Sequence, residues 1–120
     1  MFDHVGLKVR DLAVNVRFCD AVLRPLGCEL VSSGDGYAGF GPPGAPAFWL
    51  YQSGTPGSQG SHVAFRAGSR AAVQRFHEAG LASGGRDNGP PALRPDYAAN
   101  YYAAFLLDPD GNNLEAVFLE

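Results

Sequence analysis

Two imidazoles and one carboxylate, His4, His62 and Glu115, are the side chains whose types and placement point to chemistry, and that chemistry is divalent metal binding. Glu115 sits in Gly111-Asn112-Asn113-Leu114-Glu115-Ala116-Val117-Phe118, a run that otherwise reads as a strand. A desolvated, unpaired carboxylate there costs several kcal/mol or shifts its pKa until it is neutral, so Glu115 calls for a cation. Strand alternation puts Leu114, Ala116 and Phe118 on one face and Glu115, Val117 and Leu119 on the other. The same parity separates Val5, Leu7 and Val9 from His4, Gly6 and Lys8, and Val63 and Phe65 from His62. Neutral imidazole nitrogens with a carboxylate suit Zn(II), Fe(II), Mn(II) or Ni(II). Three protein ligands leave positions open for water or substrate, as catalytic sites require. A lone strand histidine is more often a hydrogen-bonded structural group, and His77, on a helix, is read that way.

The elements that position these residues repeat. Phe2 to Arg10 alternates as a strand, and Asp11 caps a helix that Pro25 and Gly27 end. Its polar positions Arg17, Asp20 and Arg24 oppose Val14, Phe18, Ala21 and Val22. Glu29 to Ser33, Gly36 to Phe40 and Ala47 to Gln52 read as short strands divided by Gly34-Asp35-Gly36 and Gly41-Pro42-Pro43-Gly44. Ser53 to Ser61 is a Gly, Ser and Pro linker. A shift of 58 positions then lays Asp3-His4-Val5 on Ser61-His62-Val63, Phe18 on Phe76, Asp20 on Glu78 and Gly27 on Gly85. After a loop predicted from Ser83 to Asn100 comes a strand from Tyr101 to Leu107. The Asp108-Pro109-Asp110-Gly111 turn leads from it into the Glu115 strand. The expected fold is α+β, a single domain of two tandem βαβββ modules, 1–52 and 62–120, joined by linker 53–61.

The opening Asp3-His4-Val5-Gly6-Leu7-Lys8-Val9-Arg10-Asp11, its echo at Ser61-His62-Val63-Ala64-Phe65, and Asp108-Pro109-Asp110-Gly111-Asn112-Asn113-Leu114-Glu115 resemble the vicinal oxygen chelate superfamily. That superfamily includes glyoxalase I, extradiol dioxygenases and bleomycin-resistance proteins. The resemblance spans nearly the whole chain and implies a half-open, barrel-like sheet with helices outside and a divalent metal inside, held by His4, His62 and Glu115. It implies a small metal-dependent enzyme, a lyase or dioxygenase, that chelates neighbouring oxygens of a small substrate. The alternative is a metal-free binding or sequestering protein of the bleomycin-resistance type. Glu115 would hold the metal or act as base. Laying Gly44 on Gly111 sets Phe48 opposite Glu115, where glyoxalases have a further ligand, so Phe48 is expected to line the cleft while Trp49 and Tyr51 pack beneath a helix. Tyr102 is assigned inward parity, as substrate-binding and catalytic residue, and Tyr101 outward parity. Arg94, in the long loop, is expected either to pair with a substrate oxyanion or to pin the loop through backbone carbonyls or Asp87. Family members commonly dimerise, so a homodimer is expected.

Composition narrows the partners. The chain has 120 residues, 46% hydrophobic and 18% charged, which suits one core. A net charge of -3 without a basic run argues against nucleic acid or an anionic membrane as partner. No apolar stretch approaches the ~20 residues of a bilayer span, and no signal-peptide pattern follows Met1, so the expected compartment is the cytoplasm. Cys19 and Cys28 have no metal-finger or CxxC spacing and read as small buried hydrophobes.

Overall fold

The computed structural model describes residues 1–54 and 60–120; positions 55–59 of the expected linker lie outside the described residues. Module one runs β1 (Val5–Val9), α1 (Leu12–Leu23), a 3-10 turn (Arg24–Leu26), β2 (Glu29–Gly34), β3 (Tyr37–Gly41) and β4 (Phe48–Gln52). Module two repeats it with β5 (His62–Arg66), α2 (Arg70–Ala82), β6 (Arg86–Leu93), β7 (Tyr101–Leu107) and β8 (Asn113–Leu119). The two sheets have orders β1-β4-β3-β2 and β5-β8-β7-β6, with β1/β4 and β5/β8 parallel and the other neighbours antiparallel. The fold is α+β, two similar modules with open sheets.

Each helix begins where a short oxygen side chain accepts from the first turn. Asp11 Oδ1 accepts from the Val14 amide at 3.2 Å and Ser69 Oγ from Ala72 at 3.1 Å. Gly27, at φ 81°, ends the first helical segment in the left-handed conformation that glycine adopts without strain. Gln52 then ties β4 to the start of α1, donating to the Arg10 carbonyl and accepting from the Leu12 amide.

Apolar faces drive the assembly. Leu7, Val9, Phe40 and Leu50 of sheet one, Phe18 and Val22 of α1, Val73 and Phe76 of α2, and Ala104, Leu106, Leu114 and Ala116 of sheet two form one continuous core. Helix α1 packs against α2, so that core is shared between the modules. The remaining face of each sheet, carrying Lys8 on β1 and Glu115 on β8, therefore points away from it. One strand differs from expectation. The stretch predicted as loop from Ser83 to Asn100 contains β6, an edge strand pairing with β7 alone, whose register shifts at Asp87/Gly89 and Gly89/Ala92. Pro90 and Pro91 lack the amide a ladder needs, and an edge strand with bulges is where a sheet tolerates them.

His77 is buried against this edge, its Nε2 2.9 Å from Asp87 Oδ1, which also accepts from the Gly89 amide. Those contacts, the Gly89 amide first and His77 second, hold the Asp87 carboxyl below its usual range. A depressed folded-state pKa stabilises the fold above the unfolded value of ~4 and loses that contribution as pH falls through the lower folded value. Asp87→Asn is therefore expected to lower the melting temperature at neutral pH, with the gap from wild type closing below about pH 4. A pH series of thermal melts measures it, and a gap independent of pH refutes the assignment.

Candidate metal and ligand site

Glu115 is only 2% exposed, and both of its oxygens are occupied. Strand β8 carries it between β5 and β7: Ala64 lies beside it on the parallel side and Phe105 on the antiparallel side. His62, at the start of β5, reaches Oε1 with Nε2 at 2.8 Å. The Tyr101 hydroxyl donates to Oε2. Burial first, then the hydrogen bond to Glu115, pushes the Tyr101 phenol up to about 12, so it remains a protonated donor throughout the physiological range. Phe105, Ala103 and Val117 form a small apolar cluster on this face, with Tyr101 packed against it.

The turn before β8 holds the carboxylate strand in place. Asp108 Oδ1 accepts from the amides of Asp110 and Asn112, and Oδ2 from the Asn112 side chain. Asn112 Oδ1 in turn accepts from the Ser61 amide, and Ser61's carbonyl accepts from the Asn113 amide. The Asp-Pro-Asp-Gly-Asn-Asn run thus sets the register of His62 against Glu115.

Of its two expected roles, Arg94 shows the loop-pinning one. Its guanidinium donates to the Pro90 carbonyl, which pins the loop, and lies 5.2 Å from the centre of the Phe105 ring, within the module-two site. The Arg94 Nε is buried and has no hydrogen-bond partner among the described residues. Tyr97 packs edge-on against Tyr101, ring centres 5.1 Å apart.

Four sequence expectations need correction. His4 does not join His62 and Glu115 within one chain: it precedes β1 in the other sheet, half exposed, with Nδ1 2.7 Å from Asp3 Oδ1. Among the described residues no three His, Cys, Asp or Glu side chains are grouped to hold one ion. Phe48 lines no cleft; it is buried in the core with its ring 5.1 Å from and perpendicular to Phe65. Tyr102 also faces the core, where its hydroxyl accepts from Gln74 Nε2 at 3.1 Å and Arg70 lies over its ring. Trp49 and Tyr51, expected beneath a helix, lie on the opposite face with Gly6 and Gly39.

All but the first of these share one cause, a single-residue slip that exchanges the faces of a strand. Val5 pairs with Phe48 as Val63 pairs with Leu114, so the counterpart of Glu115 is Trp49. Module one has one more residue than module two between its left-handed turn glycine, Gly44, and this position. Indole, like the phenyl ring expected there, is no ligand. In β7, pairing across the Asp108–Gly111 turn sets Phe105 opposite Glu115 and Tyr101 opposite Leu119. Counting outward from that turn would have assigned Tyr101 to the site.

The two tyrosines separate experimentally. Tyr101→Phe removes a hydrogen bond to a buried carboxylate and is expected to cost about 1.5–3 kcal/mol, against about 0.5–1.5 for the neutral bond lost in Tyr102→Phe. Urea midpoints at constant m measure both, and the reverse order would contradict the assignment.

Comparisons with known proteins agree on the fold. The model of the Glyoxalase/Bleomycin resistance protein/Dioxygenase superfamily matches residues 1–116. A glyoxalase/bleomycin resistance protein from Albidiferax ferrireducens is 35% identical, with TM-score 0.89 over 98% of both chains. A glyoxalase-related enzyme from Fulvimarina pelagi is 19% identical, with TM-score 0.73 over 95% of this chain and 84% of that one. A glyoxalase/bleomycin resistance protein/dioxygenase family enzyme from Burkholderia phytofirmans is 16% identical, with TM-score 0.74 over 98% of both. The curated proteins give no match. Among the described residues, no helix is long and apolar enough to cross a membrane.

Proposed function

We propose, for a chain that belongs to the Glyoxalase/Bleomycin resistance protein/Dioxygenase superfamily, a small metal-dependent enzyme acting as a homodimer, each centre combining His62 and Glu115 of one chain with His4 of the partner subunit. The observation that carries this reading is the division of the donors. His62 and Glu115 are in contact on module two, whereas His4, at the matching repeat position, belongs to module one, whose free face points the other way. A two-fold pair that lays the free face of module one on that of module two supplies the missing donor, and symmetry supplies it twice. Two imidazoles and a carboxylate then make a donor set fit for a catalytic divalent ion.

A bound divalent ion would supply Lewis-acid polarisation of two neighbouring oxygens of a small substrate. The chain's own residues do the rest. Glu115 contributes the negative charge that offsets the dication, and Tyr101, protonated and bonded to Oε2, fixes the carboxylate's rotation so that Oε1 stays directed at His62. Phe105 keeps that face apolar, and Arg94 above it presents a fixed cation to an anionic substrate oxygen. The finer reaction, lyase or dioxygenase, follows from the substrate taken.

Metal analysis of protein purified without an affinity tag tests the reading. About one divalent ion per chain is expected in wild type and none in His4→Ala. Equal metal in both, or a metal-free wild type whose melting temperature ignores added divalent ions, overturns it. One observation favours the second reading, a metal-free binding protein: both Glu115 oxygens already accept a hydrogen bond within one chain. Metal-free protein that binds ligand unchanged in His4→Ala supports that alternative.

A further inference from the structure

The free face of module one carries an aromatic platform. In register, Gly6, Trp49 and Gly39 form one row across β1, β4 and β3, and Lys8, Tyr51 and Tyr37 form the next. A methyl group built on Gly39 would meet three Trp49 ring atoms at 2.6 to 2.8 Å, and one on Gly6 would meet Tyr51 Cε2 at 2.7 Å. Both glycines are therefore places where a ring lies across bare backbone, presenting its other side outward. Tyr37 adds a third ring, its centre 6.2 Å from that of Trp49. Beside them Lys8, the chain's single lysine, is exposed, and no hydrogen bond or ion pair engages it among the described residues. The order along β1 is thus an imidazole at His4, the Tyr51 ring over Gly6 and an ammonium at Lys8, with the Trp49 ring alongside over Gly39 of β3. At a strand's rise these four steps cover about 13 Å, room for a fused-ring ligand lying along the strand.

We propose that this face selects a planar aromatic carboxylate, with Trp49 stacking on its ring system and Lys8 pairing with its carboxylate. Trp49 is then the specificity-determining residue: it occupies the module-one counterpart of Glu115, where an indole replaces a further donor and supplies a wall instead. The rings account for planarity, because an unbranched aromatic face matches an indole laid on the sheet better than a puckered aliphatic ring. The unpaired ammonium accounts for the anion. Where the dimeric metal centre proposed above forms, His4 sets the reacting end of the ligand. That placement rests on the earlier reading, whereas the ring and carboxylate contacts do not.

Calorimetric titration of metal-free protein with 2-naphthoate tests the proposal, with 2-naphthylmethanol as the uncharged control and cyclohexanecarboxylate as the non-aromatic one. The expected order is 2-naphthoate tightest, with both controls weaker. Trp49→Leu is expected to lose about tenfold in 2-naphthoate affinity and Trp49→Phe to recover most of it. Lys8→Met is expected to lose several-fold for 2-naphthoate and nothing for 2-naphthylmethanol. Far-ultraviolet dichroism identifies any variant that fails to fold, and Trp49→Phe then carries the comparison. No 2-naphthoate binding at millimolar concentration, equal affinity in folded Trp49→Leu, or cyclohexanecarboxylate binding as tightly overturns the proposal. Failure of the metal centre reads out separately, as a melting temperature indifferent to divalent ions with the 2-naphthoate titration intact.

Discussion

Mixing His4→Ala chains with His62→Ala chains is expected to create metal sites that neither variant has alone. If each centre takes His62 and Glu115 from one chain and His4 from the partner subunit, a mixed dimer has one centre lacking both histidines and one with its full donor set. Random exchange in an equal mixture makes half of the dimers mixed, so about a quarter of all centres become complete. Metal content should rise from near zero in either variant to about a quarter of the wild-type value after refolding together. A centre built within one chain predicts no recovery, because every chain in the mixture lacks a ligand. Substituting a half-exposed histidine on each module leaves the shared core untouched, so loss of folding does not imitate this result.

Glu115→Gln should be the more severe single change. The amide keeps the shape, and its oxygen still accepts from Tyr101 while its NH2 faces His62, whose neutral ring can present an acceptor nitrogen. What disappears is the negative charge that offsets a dication. Outer partners of metal ligands are each worth about 10- to 100-fold in affinity, so loss of a charged ligand should exceed about 100-fold. Saturating divalent metal should raise the wild-type melting temperature by on the order of 10 °C and leave Glu115→Gln unmoved. An equal rise in both proteins, or none in either, removes Glu115 from the ligand set. Apparent affinity in the wild type should also fall as pH falls, since imidazole and carboxylate bind metal only when deprotonated.

Alternation and repetition made much of this molecule legible beforehand. The βαβββ order, the cap at Asp11, the shared parity of His62 and Glu115, and the turn that leads into β8 all follow from local chemistry and a pattern stated twice. Alternation does not fix the face of a strand where a single residue decides it. Between Gly44 and Phe48 an extra residue enters the loop, and in β7 only pairing across the turn sets the parity, so alternation along the sequence puts Phe48 and Tyr102 on the faces that Trp49 and Tyr101 occupy. Local composition is blind to such a slip, because Phe-Trp and Tyr-Tyr are equally apolar on either side. Edge strand β6 was hidden likewise, since its two prolines argue for loop unless the neighbour that tolerates them is known.

The sequence by itself determined which residue types exist for chemistry and which face of its strand His62 and Glu115 each occupy, because a two-residue period is a property of the chain alone. Tertiary structure decided which of those faces meet. His62 joins Glu115 because β5 and β8 are hydrogen-bonded neighbours, and Tyr101 joins them because β7 pairs with β8. His4 stands apart because α1 packs on α2 and both sheets turn their apolar faces to one core, which sends their polar faces in opposite directions. That choice is made by burial of apolar area between modules, a sum over many contacts that no short motif encodes.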